Sequence, residues 1–126
     1  MGGNGSHASG VLYTESGRQY RTIFTIGDNI KVLEQKDPKK SGKLPEESRT
    51  PNRIYVSLYA NGKDVKAIAQ YDENGKKMYE IHTAEHKGIK PHYHIWKDGK
   101  PEKEVHHLSS EMKQLLKKVQ NYEDDK

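Results

Sequence analysis

Four of the chain's seven histidines, His82, His86, His92 and His94, fall in one short stretch with its only tryptophan, Trp96. Imidazole changes charge near neutrality, so a group of them can move protons or, as free bases, hold a metal ion. Spacing decides whether they can act together. His92-Tyr93-His94-Ile95-Trp96 alternates as a half-buried strand does, which puts His92, His94 and Trp96 on one face and sends Tyr93 to the core. Met78-Tyr79-Glu80-Ile81-His82 alternates in the same way, with Glu80 and His82 opposite Tyr79 and Ile81. If these strands are neighbours, three imidazoles and one carboxylate converge on one side of a sheet. His86 lies in the connection Thr83 to Lys90, ahead of Pro91. The adjacent His106 and His107 would diverge on an extended backbone, and are assigned to the approach to a helix.

Three chemistries suit such a cluster. The first is RNA cleavage without a metal, in which His82, His86, His92 and His94 supply the base for the 2′-hydroxyl and the acid for the leaving oxygen. Arg53, Lys87 and Lys90 would then steady the phosphorane charge and Trp96 would stack a base. The leading expectation therefore needs no cofactor and no metal. The second is a Zn2+ site, since His-x-His on a strand plus a third histidine leaves a fourth position open for water. The chain has no cysteine, which excludes disulfides and thiolate sites and leaves histidine and carboxylate as ligands. The third is a non-enzymatic assembly or interaction module whose histidines are surface groups.

The elements that must position these residues are framed by turn signals. Asp72-Glu73-Asn74-Gly75 and Lys97-Asp98-Gly99-Lys100 carry the Asn-Gly and Asp-Gly pairs of tight hairpins, and Asn61-Gly62 marks another. With Arg53–Ala60, Val65–Tyr71 and Lys76–Thr83 between them, these turns predict a three-strand antiparallel meander from Tyr55 to Thr83. Upstream, Gln19–Ile26 and Ile30–Glu34 read as a hairpin about Gly27-Asp28-Asn29. Val11–Thr14 is a short edge strand or the end of a linker. After Pro101, Ser109 followed by Glu111 opens a helix whose Met112, Leu115, Leu116 and Val119 form an apolar stripe. The fold class expected is α+β: a twisted antiparallel sheet with a carboxy-terminal helix on one face.

The chain of 126 residues is long enough for one domain. Residues 1–10 read as a vector-derived leader, 11–122 as the domain and 123–126 as a charged tail. The basic loop over residues 36–52 is punctuated by Pro38, Gly42, Pro45 and Pro51 and reads as disordered. Only 31% of residues are hydrophobic and 32% are charged, so the core must be small and sheet-like. No apolar run approaches the length of a membrane span, which gives the expectation of a soluble chain with no membrane partner. A net charge of +4 with pI near 9.1 permits a phosphate-rich partner.

The combination YDENGK, a His-bearing strand, PHYHIW and DGKP resembles a domain at the carboxy-terminal ends of phage minor-capsid proteins and bacterial polymorphic toxins. Tyr71, Asp72, Gly75, His86, Pro91, His92, His94 and Trp96 match that pattern, while its Asp-Ile-Asp element reads Glu80-Ile81-His82 here. The resemblance implies a toxin-type ribonuclease acting on RNA, with an immunity protein or a phage structural protein as partner.

Overall fold

The computed structural model of the chain describes residues 11–13, 19–35, 44–59 and 62–122. The expected leader and tail lie outside them. Nine strands form the sheet: β1 (Val11–Tyr13), β2 (Gln19–Ile26), β3 (Ile30–Gln35), β4 (Ile54–Leu58), β5 (Val65–Tyr71), β6 (Lys77–His82), β7 (His92–Lys97), β8 (Lys100–Pro101) and β9 (His106–His107). One helix follows, α1 (Ser110–Gln120). Neighbouring strands run in chain order from β1 to β8, and β9 pairs with β7. The fold is α+β, as the patterning predicts, and the meander β4–β5–β6 is antiparallel throughout.

One pairing departs from the expected run of hairpins. Strands β3 and β4 are parallel, with Ile30 opposite Ile54 and Val32 opposite Val56. Parallel neighbours need a crossover of a dozen or more residues, which gives the long polar loop a structural purpose. Its described part, from Leu44 onward, is packed rather than loose. Leu44 and Pro45 are buried, Tyr71 donates its hydroxyl hydrogen to the Pro45 carbonyl, and Ser48 N–H donates to Gly75 O at 2.8 Å.

The sheet therefore has two covered faces. On one, Val32, Val56, Ile68 and Ile81 pack with Leu108, Leu116, Val119 and Tyr122, and Tyr79, Tyr93, Met112 and Leu115 close the margin. The Ser109 hydroxyl accepts from Met112 N–H at 3.2 Å, so the helix is capped where the sequence places its start. On the other face, Leu33, Tyr55, Ala67, Ala69 and Tyr71 pack under Leu44. The crossover covers β3 to β5 on that side. The matching face of β6 and β7 carries the polar row described below.

The turns differ in detail from the two-residue hairpins expected. Among the described residues, positive φ outside glycine occurs at Asn52, Lys87 and Asp98, so in the Asn74-Gly75 pair only Gly75 adopts it, at 79°. Residues 72–76 form a longer loop, in which the Asp72 carboxylate accepts from the backbone of Asn74 and Lys76 at 2.8 and 2.9 Å. A Cβ on Gly75 would sit far inside contact with the Ser48 carbonyl, so glycine also permits the crossover's close approach. Asn61 lies outside the described residues. Asp98-Gly99 behaves as read: φ values of 54° and 79° join β7 to β8 in a tight turn.

Candidate functional site

Register places the histidines. His82 lies directly opposite His92, and Glu80 opposite His94. On its other side β6 faces small residues, with Ala67 opposite His82 and Ala69 opposite Glu80. Those short neighbours leave room for an imidazole and a carboxylate to lie along the sheet. His86 reaches the same face from the connecting loop. Lys87 and Gly88 both have positive φ, and the backbones of His86 and Ile89 bond to each other in both directions at 3.1 Å. This two-residue turn folds the loop back, and Gly88 N–H is anchored by the Glu85 carboxylate at 2.9 Å.

The result is a four-imidazole cluster. Ring centroids stand 5.0 Å apart for His92 and His94, 5.3 Å for His86 and His94, 5.4 Å for His86 and His92, and 5.2 Å for His82 and His92. Nδ1 of His86 and Nε2 of His94 face each other at 3.4 Å. One nitrogen from each of His86, His92 and His94 lies within 4.8 Å of the others, while His82 stands outside that triad. Tetrahedral ligands at 2.0–2.1 Å from zinc are about 3.3 Å apart, so the pair at 3.4 Å already matches and no other has more than about 1.5 Å to close.

Tautomers and charge follow from the neighbours. His92 is 2% exposed, and its Nδ1–H donates to the Ala84 carbonyl at 2.7 Å. That bond leaves the Nε2 lone pair of His92 for a ligand, the arrangement that orients metal-binding histidines. Burial, with the nearby rings of His82, His94 and His86, lowers the pKa of His92 although the Ala84 bond opposes the shift. Burial and the charges of His82 and His86 lower that of His94 against the backbone of Glu102 and Glu104. Both rings are thereby favoured as neutral bases. Nδ1 of His94 is buried without a partner in good hydrogen-bond geometry.

Beside the triad runs a charged relay. Nε2 of His82 donates to Glu80 Oε1 at 2.8 Å, and Lys77 Nζ donates to Glu80 Oε2 at 2.7 Å. Burial pushes the Glu80 carboxyl up, but the bond from His82 and the charge and bond of Lys77 outweigh it and hold the pKa below its ordinary value. Lys77 also lies over the Trp96 indole, 4.0 Å from its centroid. Strict alternation would send Lys77 to the helix face with Tyr79. A bulge prevents this: Tyr71 pairs with Lys77 but Gln70 with Tyr79, so Met78 is the extra residue. A bulge of this kind leaves no mark in composition, which is why Lys77 is missed in the sequence.

The expected cations are not all at the cluster. Arg53 is buried at the start of β4, where its guanidinium donates to Thr50 Oγ1 at 3.2 Å and reaches Asn29 O at 3.5 Å. It braces the crossover at the end of the sheet away from His82, where Ile54, Gln70 and Tyr79 align. Lys87 and Lys90 are exposed on the His86 loop, with Lys87 Nζ donating to Lys103 O at 3.4 Å. His106 and His107 form β9 rather than leading straight into the helix. His106 stacks on Tyr93 at 5.0 Å on the core face, while His107 sits opposite His92.

Comparison with protein-family models, with curated proteins and with solved structures finds no match for this chain. Among the described residues no helix is long and apolar enough to cross a membrane.

Proposed function

We propose that His86, His92 and His94 form a zinc-type metal centre with an open coordination position, suited to metal-assisted hydrolysis. The observation that carries this reading is the mutual approach of three imidazole nitrogens, one pair at 3.4 Å. Three neutral ligands leave the ion its full double charge. Such an ion acidifies bound water and polarises a phosphoryl or carbonyl oxygen. The lowered pKa values of His92 and His94 favour the free-base form that ligation requires. His86 is exposed, so the centre would be open to substrate.

A second reading is favoured by the Glu80–His82 pair. An ionised Glu80 can only accept, so His82 must carry its proton on Nε2. Such a carboxylate-bound imidazole beside the neutral rings of His92 and His94 is an acid–base constellation that needs no metal. In the phage or toxin setting that the sequence resembles, its substrate would be RNA. The two readings separate in one experiment. Protein freed of metal is titrated with Zn2+ by calorimetry, and RNA cleavage is followed with and without EDTA. The metal reading expects one equivalent bound tightly and cleavage, if RNA is the substrate, lost in EDTA. Cleavage undiminished in EDTA together with no zinc binding would replace it with the second reading. Neither zinc binding nor cleavage would leave the assembly module.

A further inference from the structure

We infer that His107 is a displaceable fourth ligand of the metal centre, filling the position that His86, His92 and His94 leave open until water or an anionic substrate oxygen replaces it. The inference rests on the reading of that triad as a metal site and adds the regulation of access to it. Register carries it. His107 lies directly opposite His92, and His106 opposite Tyr93. Opposite residues of an antiparallel pair point to the same side of the sheet, with Cβ atoms about 4.5–5.5 Å apart. The other side of β9 is fixed independently, since His106 stacks on Tyr93 at 5.0 Å and Leu108 is buried. Alternation then turns His107 to the histidine face. A plain hairpin would not bring it there. Trp96 pairs with Pro101, so an uninterrupted ladder would set Val105 opposite His92. The ladder slips by two residues between β8 and β9, and an imidazole takes the place of the valine.

The triad leans to the same side. His82, on β6, has ring contacts with His92 and His94 at 5.2 and 5.6 Å. His86 meets the same two rings at 5.4 and 5.3 Å but makes no ring contact with His82, so it flanks them from the side of β9. Lys87 Nζ, one residue on, donates to Lys103 O at 3.4 Å, which draws the His86 loop over the segment leading into β9. An ion held by the three rings therefore sits towards His107. The neighbouring alternatives are engaged: His82 Nε2 donates to Glu80 at 2.8 Å, and the Glu85 carboxylate holds Gly88 N–H at 2.9 Å. The His107 side chain is exposed and has no hydrogen bond, ion pair or ring contact among the described residues. A free, exposed side chain changes rotamer in picoseconds to nanoseconds, so this ring can swing onto the ion and away again. Four imidazoles saturate a tetrahedral ion, and the metal becomes usable for hydrolysis when His107 leaves.

The test loads the full chain with Co2+ and uses azide, a small anionic ligand, as the probe of an open position. Wild-type protein should show the intense absorption of four-coordinate cobalt and respond to azide only in large excess. His107→Gln should keep four-coordinate intensity with its bands displaced, because water replaces one imidazole. Azide should bind that variant about tenfold tighter or more, since in the wild type the position is open only while His107 is away. His107→Ala should match it. Zn2+ affinity, read by calorimetry, should fall at least about tenfold in both, the lower end of what losing even an outer-shell partner costs. A merely structural role for His107 would weaken the metal without improving azide binding. Azide affinity that is unchanged or weaker in the variants, shown folded by circular dichroism, would overturn the inference and leave the three-histidine centre standing. Wild-type protein that takes up no cobalt would overturn the centre itself and the inference with it.

Discussion

Glu80 is held ionised in a nearly closed space by two donors, and its loss should be felt through the partner left behind. In the Lys77–Glu80 pair the side chains are 2% and 10% exposed. Glu80→Gln leaves a buried ammonium without its counter-charge and should lower stability by about 3–5 kcal/mol, measured by denaturant titration. A loss below about 1 kcal/mol would mean that water reaches Lys77 freely. Acidification should act at the same residues. His92 and His94 have pKa values below the ordinary 6.5, so the unfolded chain takes up their protons first and stability falls as pH drops through and below about 6.5. Glu80, held below its ordinary 4.5, adds a second loss further down, because its contribution is present above that value and disappears as pH falls through the folded pKa. The metal-free protein should therefore melt at progressively lower temperature from pH 8 to pH 5, and the His92→Gln/His94→Gln double variant should show a flatter profile. An unchanged melting temperature across that interval would contradict the burial of both rings.

Elements explain which of these residues the sequence reveals. The strand bearing His92, His94 and Trp96 is legible because alternation and an Asp-Gly turn agree, and both survive in the structure. The same reasoning sets Glu80 and His82 together correctly. It fails at Lys77, because one extra residue at Met78 reverses the face and no residue type announces a bulge. It fails again over the described part of the crossover, where a polar, proline-punctuated loop looks unstructured although its Leu44, Pro45 and Ser48 dock on the sheet; residues 36–43 lie outside the described residues. Only the parallel pairing of β3 and β4 gives that loop its purpose, and pairing is a long-range fact. Arg53 is misplaced for the same reason: it reads as a cation for substrate but serves the crossover. Gly75 joins these elements, since its positive φ and its contact with Ser48 both exclude a side chain. Gly75→Ala should cost about 1–3 kcal/mol in thermal or chemical unfolding. A neutral substitution would show that the crossover does not dock against the 72–76 loop.

At the scale of the whole molecule, one sheet serves two purposes by dividing its faces. The helix covers one face along the hydrophobic strands, and the crossover packs on β3 to β5 of the other, with Glu46 and Glu47 reaching the cavity beside Lys77 and Trp96. What remains on β6 and β7 is a row running from the histidine triad through His82, Glu80 and Lys77 to Trp96. The proposed centre would thus draw His92 and His94 from β7 and His86 from the loop that joins β6 to β7. The proposed centre requires that three of the four clustered imidazoles, His86, His92 and His94, take one metal ion. Cobalt substitution tests this most directly, because the visible spectrum of Co2+ reports coordination number and ligand type. The prediction is one Co2+ per chain with the intense absorption of four-coordinate geometry, abolished in His92→Gln and His94→Gln and retained in His82→Gln. The weak spectrum of six-coordinate cobalt, or binding that depends on His82 but survives loss of His92, would contradict it.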